Sequence, residues 1–247
     1  MRPILASLLV ACAVALSACA SVPRNPIAEW VPSKNFDARR PVVIVLHFTE
    51  QDSVTQSLKT LRSANAGGRV SSHYLVGDDG RIYQLVSDQH RAWHAGAGRW
   101  GAITDLNSAS IGIEIDNDGR EPYTEPQVAA LIRLLEDLTT RLKIPKTQVI
   151  GHSDLAPTRK IDPGPHFPWQ RLAEAGFGRW PTVAASDAPA GFDGWAAMAA
   201  FGYPLDDRAA ALRAFRMRFR GRDDGAQLAP ELDAEDLRIL HALGSSR

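Results

Sequence analysis

The run Val42-Val43-Ile44-Val45-Leu46 is apolar at every position, so neither face of an extended chain through it can look at water. Such a segment is a central strand, buried from both sides, and it ends in His47. Whatever covers the strand therefore also delivers an imidazole to one edge of the sheet.

The neighbouring segments supply the covering layers. Ser53 caps a predicted helix with Val54, Leu58 and Leu61 on one face. The stretches 70–76 and 81–86 flank Gly77-Asp78-Asp79-Gly80, residues that accept the positive φ angles of a hairpin turn. In Ser110-Ile111-Gly112-Ile113-Glu114-Ile115 the three isoleucines share one face and Glu114 lies on the other. Thr124 and Gln127 form a capping-box pattern ahead of Val128, Leu131, Leu135, Leu138 and Leu142, and Pro145 marks the stop. Gln148-Val149-Ile150 is a short strand that carries Gly151 and His152 at its end. The expectation is an α/β domain over 41–178, a mixed central sheet flanked by helices.

Both ends of the chain differ from this body. Residues 1–18 carry one charge, Arg2, and an apolar run from Ile4 to Leu16 that is short for a membrane span, the pattern of a secretory signal. Leu16-Ser17-Ala18-Cys19 resembles the bacterial lipobox, with Cys19 as the lipidated residue; ordinary cleavage after Ala18-Cys19-Ala20 is the alternative. Cys12 lies within the signal, which leaves no disulfide for the folded part. Residues 19–40, broken by Pro23, Pro26 and Pro32, read as a tether, and order is expected to begin at Pro41. Ala20 and Ser21 follow the cysteine with no aspartate, so an exported, lipid-anchored protein on an outer membrane facing the periplasm is expected. A second linker is expected over 179–191, then a small three-helix unit over 192–245, with Asp207 and Asp233 as caps.

Lys plus Arg and Asp plus Glu both number 28, so no net field draws the molecule to nucleic acid, and none is expected as a partner. Six arginines fall between Arg208 and Arg222; a solvated basic face, or contact with an acidic polymer, is the reading of that cluster.

Hydrolysing an amide near neutral pH needs an activated water, a group that polarises the carbonyl, and a proton for the leaving amine. A zinc ion with three protein ligands and one open position supplies the first two. His47, His152 and Asp162 are the candidate ligands, the histidines at strand ends and Asp162 in a loop rich in Pro and Gly that could fold back. By itself the pattern does not decide. A lone histidine at a strand end is more often a satisfied core or surface residue, and no H-E-x-x-H motif is present.

Five motifs in order add to this: Val45-Leu46-His47-Phe48-Thr49; the hairpin from Ser72-His73-Tyr74 to Leu85-Val86; Ala92-Trp93-His94-Ala95-Gly96; Ser110-Ile111-Gly112-Ile113-Glu114; and Gly151-His152-Ser153-Asp154 through Lys160-Ile161-Asp162-Pro163-Gly164 to Trp169. Together they resemble the N-acetylmuramoyl-L-alanine amidases of the peptidoglycan-recognition type, over about 41–177. The resemblance implies His47, His152 and Asp162 as zinc ligands, Glu114 as the proton-shuttling catalytic carboxylate and Lys160 as the oxyanion-stabilising cation. Beside these, His94 with Trp93 reads as lining the substrate groove, with a packing role as the alternative; His73, in a hairpin strand, reads as structural, and Asp116 and Asp154 are candidates to orient ligands. The implied reaction is hydrolysis of the amide between N-acetylmuramic acid, or its 1,6-anhydro form, and L-alanine, with peptidoglycan and muropeptides as partners and the membrane reached through the N-terminal lipid. The C-terminal unit resembles the helical peptidoglycan-binding domain attached to wall hydrolases, on Phe201-Gly202-Tyr203 and Ala211-Leu212-Arg213-Ala214-Phe215, with Arg216 where a Gln is usual. A non-catalytic wall receptor and a membrane-to-wall tether are the alternatives. Each predicts that muropeptides stay uncut.

Overall fold

The computed structural model describes residues 24–38, 41–65, 68–181, 186–225 and 229–245. The predicted signal and Cys19 lie outside the described residues. Among the described residues, ten strands and eight α-helices follow in chain order: β1 (Glu29–Trp30), β2 (Phe36–Ala38), β3 (Val43–Phe48), α1 (Val54–Arg62), β4 (Ala64–Asn65), β5 (Gly68–Arg69), β6 (Tyr74–Val76), β7 (Ile82–Gln84), β8 (His90–Ala92), α2 (Leu106–Ala109), β9 (Ser110–Ile115), α3 (Glu125–Leu142), β10 (Val149–Gly151), α4 (His152–Leu155), α5 (Trp169–Glu174), α6 (Gly194–Phe201), α7 (Arg208–Arg220) and α8 (Ala234–Ser245). Six strands form a mixed sheet in the order β1-β7-β6-β9-β3-β10, while β2 with β8 and β4 with β5 make two small ribbons. The fold is the expected α/β arrangement with a helical segment after it.

The apolar strand β3 is central, parallel to β9 on one side and to β10 on the other. Ile44 and Leu46 join the three isoleucines of β9 on one face, where Val128, Leu131, Leu134, Leu135 and Leu138 of α3 cover them. Thr124 caps α3 by accepting from the Gln127 amide at 3.2 Å. The Gln127 side chain does not complete the capping box; it donates instead to the Asp116 carbonyl at 2.8 Å, fastening the helix to the end of β9. Lys143 closes α3 in the left-handed region at φ 57°, two residues before the proline expected to stop it.

The opposite face of the sheet is closed by a different part of the chain. Val43, Val45 and Ile150 share one continuous core with Leu155, Trp100 and, from the C-terminal helices, Met198, Phe201, Tyr203, Leu212 and Phe215. Asp193, Asp207 and Asp233 cap these three helices by accepting amides at 2.9–3.0 Å.

Three sequence expectations change. The tether expected over 19–40 does not include residues 24–38, which are built into the domain. Strand β1 pairs with β7, β2 pairs with β8, and buried Asn25 donates to Asp137 at 2.8 Å. Pro26 and Pro32 stand on either side of β1, and an edge strand only two residues long tolerates prolines beside it. The linker over 179–191 starts inside the core, since Trp180 packs on Phe219 at 5.4 Å between ring centroids. The arginines of α7 are not a solvated basic face. Arg216 and Arg220 both reach Asp236, Arg220 also reaches Asp233, and Arg213 holds Asp223. These carboxylates follow α7 in sequence and neutralise the cluster.

Candidate metal centre

Strand register brings the distant residues together. In the parallel pair β3 and β9, His47 lies directly beside Glu114. In the pair β3 and β10, Gly151 lies beside Leu46, so the next residue, His152, emerges next to His47. Side chains alternate along a strand, and the face of β9 that carries Glu114 therefore also carries Ser110 and Gly112. The third residue arrives from the loop after α4, where the Ser153 amide donates to the Asp162 carbonyl at 2.8 Å and folds the loop back. Glycine is required at 151, since a Cβ there would stand 2.8 Å from the ring of Pro163.

His47 Nδ1, His152 Nδ1 and Asp162 Oδ2 form a triangle with sides of 2.9, 2.9 and 3.0 Å, and all three residues are buried. The surrounding hydrogen bonds fix the tautomers. His152 Nε2 faces the Ala95 carbonyl at 2.8 Å; a carbonyl only accepts, so the proton sits on Nε2 and Nδ1 presents a lone pair. For His47 the same follows through a relay. Ser110 donates its hydroxyl to the Leu106 carbonyl and accepts from His94 Nε2 at 3.3 Å; His94 Nδ1 then accepts from His47 Nε2 at 3.0 Å. Three lone-pair donors thus face one another with no proton to share. That arrangement is repulsive in isolation and is resolved by a cation at its centre.

The titration behaviour agrees. Burial, with the adjacent His152, lowers the His47 pKa to about 4 against the opposing pull of Asp162, so the imidazole is neutral near pH 7. Burial works to raise Asp162, but positive charge on the facing imidazoles outweighs it and holds the carboxyl well below its ordinary range, the response this oxygen would also give to a cation at the centre. Two imidazole nitrogens and one carboxylate oxygen are a donor set suited to zinc, and the residues fit that ion.

Residues 37–165 match the family model described as N-acetylmuramoyl-L-alanine amidase. The chain is 41% identical over 197 residues to the N-acetylmuramoyl-L-alanine amidase AmiD of Escherichia coli, a match covering 70% of this chain and 68% of that one. This chain belongs to the N-acetylmuramoyl-L-alanine amidase family. It is also 40% identical over 104 residues to the 1,6-anhydro-N-acetylmuramyl-L-alanine amidase AmpD of Haemophilus influenzae, where the match covers 42% of this chain and little more than half, 56%, of the relative. Among solved structures, AmiD in complex with the substrate anhydro-N-acetylmuramic acid-L-Ala-D-γ-Glu-L-Lys superposes with a TM-score of 0.72 at 35% identity, covering 84% of this chain and 90% of that one. AmpDh3 of Pseudomonas aeruginosa superposes with a TM-score of 0.72 at 36% identity, covering 84% and 92%.

In this amidase the triangle opens into a cavity of about 410 Å³ that Phe48, Glu50, Trp93, Glu114 and Lys160 also line. Glu114 is enclosed on every side but the cavity; burial raises its pKa well above the carboxylate norm, and the Asp162 charge adds to this while Lys160 offsets part. Trp93 is half-buried at the cavity wall, its amide held by Ser71 Oγ at 2.9 Å. His94 reaches the cavity too, but both its ring nitrogens are engaged, by His47 and by Ser110. His73 bridges backbone, accepting from the Gly112 amide and meeting the His90 carbonyl. His166 is exposed and apart from the triangle, and Asp116 accepts from Thr49 and Ser57 rather than from a ligand.

Sequence reasoning missed several supporting residues. Asn107 Oδ1 accepts from the amides of both His94 and Ala95, and Arg159 donates to the carbonyls of Ala95 and Ala97, so the loop that orients both histidines is clamped from two sides. Tyr123 donates to the Pro163 carbonyl at 2.8 Å and steadies the Asp162 loop. Gly112 is glycine because the His94 ring lies where a Cβ would stand, 2.4 Å away. The signal for Ser110 and Gly112 was available: they alternate with Glu114.

Proposed function

We propose that this amidase hydrolyses the bond between the lactyl group of N-acetylmuramic acid, in its plain or 1,6-anhydro form, and the L-alanine that begins the stem peptide. The observation that carries the reading is the triangle of lone pairs beside Glu114 at the bottom of an open groove. The substrate named for AmiD is of this class. Zinc held by His47, His152 and Asp162 would lower the pKa of a water and polarise a carbonyl.

The chain's own groups do the rest. Glu114 takes a proton from the attacking water and returns it to the amide nitrogen as the bond breaks. Its raised pKa suits both halves of that task, since a carboxylate nearer neutrality both accepts and releases readily. The Lys160 ammonium balances the negative charge that develops on the carbonyl oxygen. Trp93 walls the groove, and the exposed side chains of Val70 and Ile161 offer apolar rims to the lactyl and alanyl methyls. His94 serves the groove mainly by keeping the proton on His47 Nε2. Cys19, at the end of the lipobox-like Leu16-Ser17-Ala18-Cys19, would anchor the enzyme to an outer membrane facing the periplasm.

The test is mass analysis of products from 1,6-anhydro-muramyl tripeptide with the metal present and after chelation. Release of a peptide starting at L-alanine, with one water gained across the two products and lost on chelation, is expected. An intact substrate under both conditions would leave a receptor in place of an enzyme.

A further inference from the structure

Asp154 takes no part in the chemistry above, yet its carboxylate is almost wholly buried and straddles a metal ligand. Oδ2 accepts from the amide of Gly151, the residue before His152, at 2.8 Å. The same oxygen accepts from Arg218 Nη1, and Oδ1 accepts from the Tyr203 hydroxyl at 2.5 Å. Both partners come from the C-terminal helical unit. Arg218 is itself buried, with its guanidinium 4.0 Å from the centre of the Trp169 ring and Nη2 on the Val149 carbonyl of β10 at 3.3 Å. The unit therefore grips the chain on both sides of His152.

A second contact reaches the other group that orients this ligand. The Ala95 carbonyl receives the His152 Nε2 proton, and the loop from Ala95 to Gly101 is docked on the helical unit. Gly101 donates to the Gly202 carbonyl at 2.9 Å, Arg99 pairs with Asp206 at 2.9 Å, and Trp100 lies so close over Gly202 that a Cβ there would meet the indole at 2.7 Å.

We propose that Tyr203 and Arg218 are positioning residues for the metal centre, so that the C-terminal helical unit acts on catalysis by fixing the turn that presents His152. A carboxylate in a dry site is costly without a cation and hydrogen bonds around it. Without Arg218 and Tyr203, nothing holds the Asp154 side chain in place; as it turns away Gly151 loses its acceptor and the imidazole loses its fixed direction. Groups that orient metal ligands shift metal affinity by about 10- to 100-fold, and groups one step further out act through them more weakly.

The inference rests on the reading of His152 as a zinc ligand, and the experiment separates the two. In the full chain, Tyr203→Phe, Arg218→Lys, the double variant Arg218→Met with Asp154→Asn, and Arg213→Ala as a control on the far side of α7 are compared. The readouts are zinc affinity by chelator competition, the visible spectrum of the cobalt-substituted protein, thermal unfolding, and kcat and KM. Tyr203→Phe should bind zinc about 3-fold more weakly and the double variant about 10-fold or more, with altered cobalt bands and a fall in kcat at constant KM. Arg218→Lys should lie between the double variant and wild type, and Arg213→Ala should lose some thermal stability at unchanged zinc affinity. Wild-type zinc affinity and kcat in Tyr203→Phe and in the double variant below their melting temperatures would overturn the inference. If the double variant does not fold, Tyr203→Phe decides. A wild type that binds no zinc would overturn the metal reading and this inference with it, whereas unchanged affinity across the variants removes the inference alone.

Discussion

The two faces of the six-stranded sheet are buried by different means. One face is covered mainly by α3, with Trp169 and Leu172 of α5 beside it, and leucines at helical spacing are set against the isoleucines of β9. The other is covered by loops, by the metal centre and by C-terminal helices that bring buried charges with them. Apolar surface packs without direction, so the first face provides stability with little else to specify. The second face needs each polar group met by a partner, and that requirement fixes side chains in the orientations chemistry demands. Substitutions on the first face should therefore change stability and spare the reaction, while those at the polar groups around the metal centre on the second should change the reaction.

The sharpest test of that division is Glu114→Gln. It should lower kcat by about 10²- to 10⁴-fold, since the proton shuttle is lost, while zinc content and melting temperature stay close to wild type. Steady-state kinetics beside metal analysis checks it. Leu135→Ala on the opposite face removes a fully buried side chain and should cost about 2–5 kcal/mol of stability. Its kcat and zinc affinity, measured well below the melting point, should be unchanged; a drop in kcat would break the comparison.

Smaller effects sharpen it. Gly112→Ala would press a methyl into the His94 ring, and zinc affinity read by chelator competition should fall about 10-fold, through the relay to His47. The least effect concerns acid. Burial favours a higher pKa for Asp233, but Arg220 and Arg216 dominate and lower it to about 2. A carboxylate depressed in the folded state stabilises above its unfolded pKa and loses that contribution as pH falls. Stability from the Asp233 pairs is thus complete above about pH 4 and fades toward pH 2. With Asp233 nearly half exposed, screening limits the loss to about 1 kcal/mol. Denaturant unfolding at pH 5 and pH 3 should show it in wild type and not in Asp233→Asn.

The same division governs what the sequence could reveal. The α3 face was legible because the period-2 pattern of β9 and the period-3.6 pattern of α3 meet there, isoleucine against leucine. His47, Glu114 and His152 were legible as strand-end or strand-face residues, though only the ordered motif set singled them out as a site. The helix caps at Ser53, Thr124, Asp207 and Asp233 were readable from local chemistry. What could not be read was long-range pairing. Nothing local says that Arg218 reaches Asp154, or that α7 answers its arginines with the aspartates that follow it. Residues 24–38 were read as tether because prolines look alike beside an edge strand and in a linker. The relay through Ser110 and His94 was hidden for another reason: tautomers are set by partners that only the fold brings together.

The central claim is that His47, His152 and Asp162 hold one catalytic zinc. Its most direct test is the zinc content of extensively dialysed protein, wild type against the single variants His47→Ala, His152→Ala and Asp162→Ala, paired with muropeptide hydrolysis before and after metal is restored. The account predicts one zinc per chain in wild type, none in the three variants, and hydrolysis that vanishes and returns with the metal. A full equivalent of zinc in His152→Ala, or hydrolysis undiminished in metal-stripped wild type, would contradict it.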